Sequence, residues 1–557
     1  MNNKQKFLIF AFMITMMEPR LMHGATLAVK DFPEAEKKLA DTVDPWGLAF
    51  SDQMTRFQSY FDTPKPQEFA VGFAPNLVKI FQNKYWFHGD LVSFETPLPS
   101  VKPLWAVTGS TASFQVVVLP RTGATSASYT VQVKADDNLP TTVWLEEYVN
   151  VGPARYPRLE SDLWPDPLLH TNRCELTGVS AGVFLCEVSI PREFKGQRLI
   201  CSVEIARVDG PKVIFQVPIE VVPLSIQPKQ FPLIAGFAKG KLSEEQFRGM
   251  CTMVLSNHLQ PLVSGELASR WKPDSPTAFS EFAEFLFQHG QTILEIPRSP
   301  SPAIYEFLKQ KGWLSKAIVY SATDEPPEDV FIKTCIPYAQ NMRTNMPGLK
   351  IFLATEAHPR LAEGIDIMMT DLSNAKYDPR TFVCPKGVEL WHYYCHLPIN
   401  WQMRAPLVLA PNMEIDNDAL QHRLALWMSW HFGAKAVFIW SGNSEWSGLS
   451  DDFWTKRELS TKENAGYPYG GSHHGNGFLV YPPRETGGEV LPSLRLKVLR
   501  DGVEDIAIFE AIKQKCGESA TAWITPVPEV FQHPHYYDQL PETLLNKRMM
   551  ILKKLRP

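Results

Sequence analysis

The sequence predicts a multidomain β plus α/β protein: an N-terminal antiparallel β-sandwich, then a (β/α)8 TIM-like barrel, then C-terminal helices. Three observations predict it. The chain is 557 residues long, more than one ordinary domain accommodates. Between residues 85 and 225, short runs alternate apolar and polar side chains between closely spaced turns. From residue 233 onward, short apolar strands alternate with helical patterns.

Composition narrows the function classes. The chain is 44% hydrophobic and 21% charged, a globular balance. A formal net charge of -5 argues against a nucleic-acid partner, because phosphate binding needs a concentrated excess of Lys and Arg. The 15 Trp suit sugar stacking, and they suit a large core equally well.

Residues 1–28 read as a signal peptide. Lys4 and Lys6 make a basic start, Phe7 to Met17 an apolar run too short to cross a bilayer, and Met22 to Ala28 offers small residues for cleavage. The expected location is secreted, periplasmic or cell-envelope associated, with no stable membrane span after the signal is removed. Residues 29–84 form a mixed, partly helical N-terminal segment. Eight Cys are spread thinly, with no C-x-x-C pair. Cys174 with Cys186, and Cys384 with Cys395, are close enough in sequence to bridge, and free thiols are the equal alternative.

Within 85–225 the strand candidates are Ala112 to Leu119, Tyr129 to Lys134, Thr142 to Val149, Gly182 to Ile190, Leu199 to Ala206 and Val213 to Val222. They are rich in Val, Thr, Phe and Tyr, side chains that suit a pleated, half-buried surface. Pro223 to Pro232 has three Pro in ten residues and reads as a linker. The barrel, over 226–515, rests on eight strand candidates: Leu233 to Phe237, Pro261 to Ser264, Thr292 to Pro297, Ala317 to Ser321, Lys350 to Ala354, Ile365 to Thr370, Val388 to Tyr394 and Ala436 to Ser441. A doubly wound sheet is the competing arrangement. Ser493 to Lys515 is a closing helix, from the spacing of Leu494, Val498, Ile506, Phe509 and Ile512. Its Arg495, Arg500, Asp501, Glu504 and Asp505 are expected to pair on the helix surface. Residues 516–557 form a helical tail.

The chemistry concentrates at Ala317 to Pro327, where the fourth barrel strand runs into Asp324-Glu325-Pro326-Pro327. Barrel active sites lie at the C-terminal ends of the strands. Two neighbouring carboxylates repel, so one tends to keep its proton. Glycoside hydrolysis needs that division: one acid protonates the leaving oxygen and one anion stabilises positive charge. Pro326 directs Glu325 out of the helical region toward extended backbone and delays the next helix until about Glu328. The competing reading is that the acids only cap that helix. Adjacent acids on a strand face opposite ways, so both serve one sugar only if the backbone turns between them. Adjacent Asp-Glu pairs also occur where the substrate's own 2-acetamido oxygen is the nucleophile.

Several stretches resemble glycoside hydrolase family 123. Trp164 to Leu169 (WPDPLL) is similar to the family's Y-P-D-P-L, with Trp in place of Tyr. Tyr320 to Pro326 matches the acid-pair strand, Glu389 to Tyr393 (ELWHY) the later W-x-Y strand, and Phe438 to Trp446 the segment after the last strand. Gly475 to Pro482 (GNGFLVYP) and Pro492 to Asp505 (PSLRLKVLRDGVED) resemble the closing pattern, the most specific of these, although Asn476 replaces the usual Asp. The likeness spans about 110–512 and leaves the end of the chain unmatched. It implies an exo-acting retaining β-N-acetylgalactosaminidase without a cofactor. Asp324 would orient the acetamide and Glu325 would be general acid and base. The implied partner is a glycan ending in β-linked N-acetylgalactosamine, on glycolipid, glycoprotein or polysaccharide.

Substrate-binding candidates follow from strand ends. Trp391 and Tyr393 share one face of the seventh strand, with His392 and Tyr394 on the other. Trp440, Asn443 and Trp446 lie in the loop after the eighth, together with Glu445. The competing role for each aromatic is core packing. His473-His474 lacks a spaced third ligand, so no metal is expected. A glycosidase of other specificity, and a non-catalytic carbohydrate-binding envelope protein, remain the alternative functions.

Overall fold

The computed structural model describes residues 68–556, apart from 85–86, 88, 95, 97–98, 122, 152–162, 179, 373–377, 396–409 and 460–473. The expected signal peptide and nearly all of the segment ahead of residue 68 lie outside the described residues.

Eleven strands make the N-terminal unit: β1 (Phe69–Ala74), β2 (Asp90–Leu91), β3 (Leu104–Val107), β4 (Thr111–Pro120), β5 (Ala127–Ala135), β6 (Thr141–Asn150), β7 (Leu163–Leu169), β8 (Arg173–Leu176), β9 (Gly182–Ser189), β10 (Arg198–Arg207) and β11 (Lys212–Val222). They form a six-stranded sheet, β2-β1-β4-β9-β6-β7, and a five-stranded sheet, β3-β11-β10-β5-β8. All pairs are antiparallel except β3 with β11. Phe73, Phe114 and Phe184 of the first sheet meet Tyr129, Val203 and Phe215 of the second in one buried cluster. The unit starts at Phe69, ahead of the expected residue 85. FAVGFA has no polar alternation because β1 is buried along its whole length. The same holds for β4: Val116 and Val118 face the second sheet, while Val117 and Leu119 pack with Trp164, Phe453 and Phe478 on the opposite face. In β10, by contrast, buried Leu199, Cys201, Val203 and Ile205 alternate with more exposed residues. WPDPLL is strand β7 despite two Pro, which an edge position tolerates.

The barrel strands are β12 (Leu233–Gly236), β13 (Leu259–Leu262), β14 (Leu294–Ile296), β15 (Ala317–Tyr320), β16 (Lys350–Ala354), β17 (Ile367–Asp371), β18 (Glu389–Tyr394) and β19 (Val437–Ile439). All eight pair in parallel in the order β13-β12-β19-β18-β17-β16-β15-β14. This is a nearly closed barrel with a seam between β13 and β14, and it displaces the doubly wound alternative. Side-chain amides bridge the seam. Gln260 accepts from the Thr292 and Ile293 N–H groups, at 2.8 and 3.2 Å, and Gln291 donates to the Pro261 carbonyl at 2.9 Å. Ile234, Leu262, Ile318, Phe352, Ile367, Met369 and Trp391 fill the interior.

Two expectations are corrected here. Pro223 to Pro232 is no loose linker: Leu224, Ile226 and Phe231 are buried in the main core. The charges of the closing helix, Leu494–Cys516, are not on a surface. Arg495, Lys497, Arg500, Asp501, Glu504 and Asp505 are all buried, because the sandwich, the helix Ala419–His431 and the tail helix Pro541–Lys554 enclose it. Arg495 reaches Asp166 of β7 at 2.8 Å, and Asp505 binds both Arg423 and Arg548 at 2.6 Å. Arg500 pairs with Glu187 of β9, and the Asn76 amide donates to Asp501 at 2.8 Å. Gly502 permits the close crossing, since a Cβ there would stand 2.6 Å from Leu426. None of the eight Cys is in a disulfide; Cys174 and Cys186 are buried, and Cys384 and Cys395 are half-buried.

The sandwich–barrel junction also encloses Glu146 of β6, which is 2% exposed. Neither of its carboxylate oxygens has a hydrogen-bond partner among the described residues. Burial, then the charge of Asp166, pushes its carboxyl up to about 8, with Lys79 opposing. A carboxyl raised on folding stabilises the fold below its unfolded pKa, and that contribution is lost as pH rises through the folded value. Glu146→Gln is therefore expected to be the more stable protein above about pH 5. The margin should widen to a few kcal/mol by pH 8, on the order of the shift itself. Urea denaturation midpoints at pH 5 and 8 check this, and a margin that does not widen contradicts it.

Candidate active site

Strand β15 ends at Tyr320, and Ser321 to Pro327 cross the C-terminal mouth of the barrel before the helix that starts at Glu328. Asp324 and Glu325 lie in this bend. The helix takes no side-chain cap, so the acids do not serve as its N-cap. Glu325 has φ +39, in the left-handed region. Pro326 does exclude the right-handed helical region, but the backbone turns left-handed rather than extended. A non-glycine residue held there costs about 1–3 kcal/mol, a strain typical of functional turns. The turn between the two residues is what the pair needs to work at one site. Past it, the helix is continuous from Glu328–Val330 through a π turn, Phe331–Cys335, into Ile336–Asn345. Pro337 explains the π turn, because it has no N–H to donate to the carbonyl of Lys333.

Tyr320 shares the inward face of β15 with Ile318. Its hydroxyl donates a short hydrogen bond to Asp324 Oδ1 and accepts the Ala354 N–H at 3.3 Å. Its ring stacks on Phe352 at 4.9 Å, edge to face, and the Arg298 guanidinium lies over it at 4.4 Å. Tyr320 is thus clamped on three sides and fixes Asp324 in turn. Burial, then the charge of Asp324, raises the Glu325 carboxyl above the usual range. One acid is held by a hydroxyl donor and the other holds its proton more tightly than a free glutamate, so the two environments differ.

The binding candidates separate. Tyr393 of β18 is half-buried, and its ring packs against Phe438 at 5.8 Å. Burial first, then Cys395, Glu325 and Tyr320, push its hydroxyl well up, so Glu325 and Tyr320 lie within electrostatic range of it. Trp391 is one pleat deeper. It is 2% exposed and donates its indole N–H to Glu389 at 2.6 Å, so it fills the barrel interior rather than the mouth. Tyr394 faces outward as the alternation requires, bonding the Ala425 carbonyl at 3.1 Å. Trp440 follows β19, with its backbone N–H on the Tyr394 carbonyl at 2.9 Å, and is half-buried. Asn443 and Trp446 have their polar atoms engaged within the protein, and Trp446 keeps a half-buried ring. Asn443 binds both backbone groups of Ala238, at 2.9 and 2.8 Å, and Trp446 donates to the Val480 carbonyl at 3.0 Å. Both tie loops of the main chain together. His474 is buried 2.9 Å from Asp416, and no metal-binding group of His, Cys, Asp or Glu occurs among the described residues; His473 lies outside them.

The sequence reading passed over Tyr320 except as part of a motif. The signal was available, since alternation from the core residue Ile318 brings Tyr320 to the mouth four residues before Asp324. Tyr320→Phe is expected to lower kcat roughly ten- to a hundredfold, the worth of a hydrogen bond to a charged group, with little change in KM. Steady-state kinetics on the variant check this, and a change confined to KM contradicts it.

Residues 301–512 match the glycoside hydrolase 123 catalytic domain. A family 123 glycoside hydrolase from Clostridium perfringens, studied for glycolipid glycan hydrolysis, superposes with a TM-score of 0.61 at 14% identity, over 87% of this chain and 97% of that one. A family 39 glycoside hydrolase from the gut symbiont Bacteroides cellulosilyticus aligns at 10% identity over 73% and 82%, with a TM-score of 0.32 too low to carry an argument. No curated protein matches the chain. The first comparison supports the fold, and the domain match bears out the resemblance read from the sequence.

Proposed function

We propose that this chain, whose residues 301–512 carry a glycoside hydrolase 123 catalytic domain, removes terminal β-linked N-acetylgalactosamine with retention of configuration. The observation that carries the reading is the acid pair beyond β15, with Asp324 fixed by Tyr320 and Glu325 turned beside it with a raised carboxyl. In the first step the acetamido oxygen attacks C1 while Glu325 gives its proton to the glycosidic oxygen, whose bond to C1 breaks. Asp324 orients the acetamide N–H and stabilises the positive charge of the oxazolinium ion. In the second step water attacks C1, the C1–oxazolinium oxygen bond breaks, and the Glu325 carboxylate takes the water's proton. The Tyr393 hydroxyl is suited to donate to the acetamido oxygen, and Trp440 to line the sugar's edge. The Clostridium perfringens relative acts on glycolipid glycans, so a glycolipid is the first natural aglycone to try. The basic, then apolar, leader favours an exported enzyme.

The test is hydrolysis of chromogenic β-N-acetylgalactosaminide and β-N-acetylglucosaminide, with a thiazoline inhibitor alongside. Cleavage of the first sugar, blocked by the thiazoline, supports the reading. A folded protein that cleaves neither sugar rejects it.

A further inference from the structure

Strand β14 and its flanks read Thr292-Ile293-Leu294-Glu295-Ile296-Pro297, with one acid inside an apolar run. Leu294 and Ile296 pack outward into the core that underlies the helices, while Ile293 belongs to the interior cluster. Alternation therefore points Glu295 into the barrel, toward its C-terminal mouth. The ladder to β15 sets Glu295 beside Ile318, and Tyr320 is the next inward residue of that strand. Glu295 is largely enclosed by protein yet keeps some accessible surface. It lies on β14 at the seam, where no ladder joins β13 to β14.

A carboxyl in such a place is costly unless donors satisfy it. The Ser264 hydroxyl, at the start of the helix after β13, and the more distant Arg298 charge both favour its ionised form. Burial outweighs both and pushes the carboxyl up to about 7. A carboxylate has acceptor sites for about four hydrogen bonds, and one nearby hydroxyl cannot fill them. A sugar ring offers hydroxyl donors at that position. The competing role is that Glu295 only ties the seam together, as Gln260 and Gln291 do lower down.

We propose that Glu295 is a specificity-determining residue whose carboxyl group binds a ring hydroxyl of the terminal sugar while Asp324 and Glu325 act at the acetamide and C1. This rests on the hexosaminidase reading above. A site built to bind a hydroxyl discriminates by the loss of that bond, which a seam-closing residue does not.

The experiment compares kcat/KM of wild type, Glu295→Ala and Glu295→Gln on the preferred chromogenic hexosaminide and on its 3-, 4- and 6-deoxy analogues. Glu295→Ala is expected to lose roughly 100-fold on the parent sugar and at most about threefold on the one analogue that lacks the contacted hydroxyl. Glu295→Gln, which keeps an acceptor for Ser264, should retain the wild-type melting temperature and show the same pattern more weakly. An equal loss on all four substrates, or no loss on the parent, overturns the proposal while leaving the hexosaminidase reading intact. Wild type that cleaves no hexosaminide overturns both.

Discussion

Glu325→Gln is expected to lower kcat on the order of 10²–10⁴-fold toward an alkyl β-N-acetylgalactosaminide, and much less toward the p-nitrophenyl glycoside. An alkoxide needs a proton to depart, whereas nitrophenolate leaves without one. Asp324→Asn is expected to lose activity to a similar extent on both aglycones, because the participating acetamide is the same in each. This split assigns the two acids separately, and a uniform loss for Glu325→Gln would contradict its role as proton donor. The pH profile carries the same assignment. Burial and the Asp324 charge raise the Glu325 carboxyl, so its acid form persists to higher pH than in an exposed glutamate. The rate on the alkyl glycoside should hold while Glu325 keeps its proton and fall as pH rises through its raised value. That alkaline limb should be missing in Glu325→Gln.

Asp166→Ala is expected to cost about 3–5 kcal/mol of stability, the penalty for leaving a buried charge without its partner. Asp166 is fully buried and Arg495 nearly so. The Arg495 Nε bonds both Asp166 oxygens at 3.0 Å, and Nη1 reaches the carbonyls of Met413 and Gly475 at 2.6 and 3.0 Å. Tyr481 donates to the same carboxylate at 2.6 Å. One guanidinium thus joins strand β7 of the sandwich to two loops of the barrel unit. Gly475 fits this site because it has φ +80 and a Cβ there would stand 2.2 Å from Ile415. Asp166→Leu combined with Arg495→Met removes both charges and should recover much of the loss. Urea midpoints of the single and double variants measure both effects. A single variant as stable as wild type would show that the pair contributes little.

These contacts explain why the most specific sequence likeness lies far from the acids. WPDPLL, GNGFLVYP and the start of the closing helix supply Asp166, Gly475, Tyr481 and Arg495, which meet at one buried junction. Their pattern records how sandwich and barrel are held together, and the acid pair stands apart from that junction. The barrel strands were legible because short apolar runs ended at turn residues. Strands β1 and β7 were not, because one is buried along its length and the other carries two Pro. The closing helix was legible as a helix but not in its surroundings, since the same charges suit a solvated face or a matched interior.

By itself the sequence determined the order of the two units, all eight barrel strands and the position of Asp324 and Glu325 past the fourth of them. Those features are local: hydrophobic periodicity, turn residues and an acidic pair need no distant partner to be read. Tertiary structure alone decided the left-handed turn at Glu325, the Tyr320 clamp on Asp324, the retreat of Trp391 into the core and the use of Asn443 and Trp446 as loop ties. Each depends on what lies across a fold from the residue, and neither spacing nor composition encodes the partner that packing brings there.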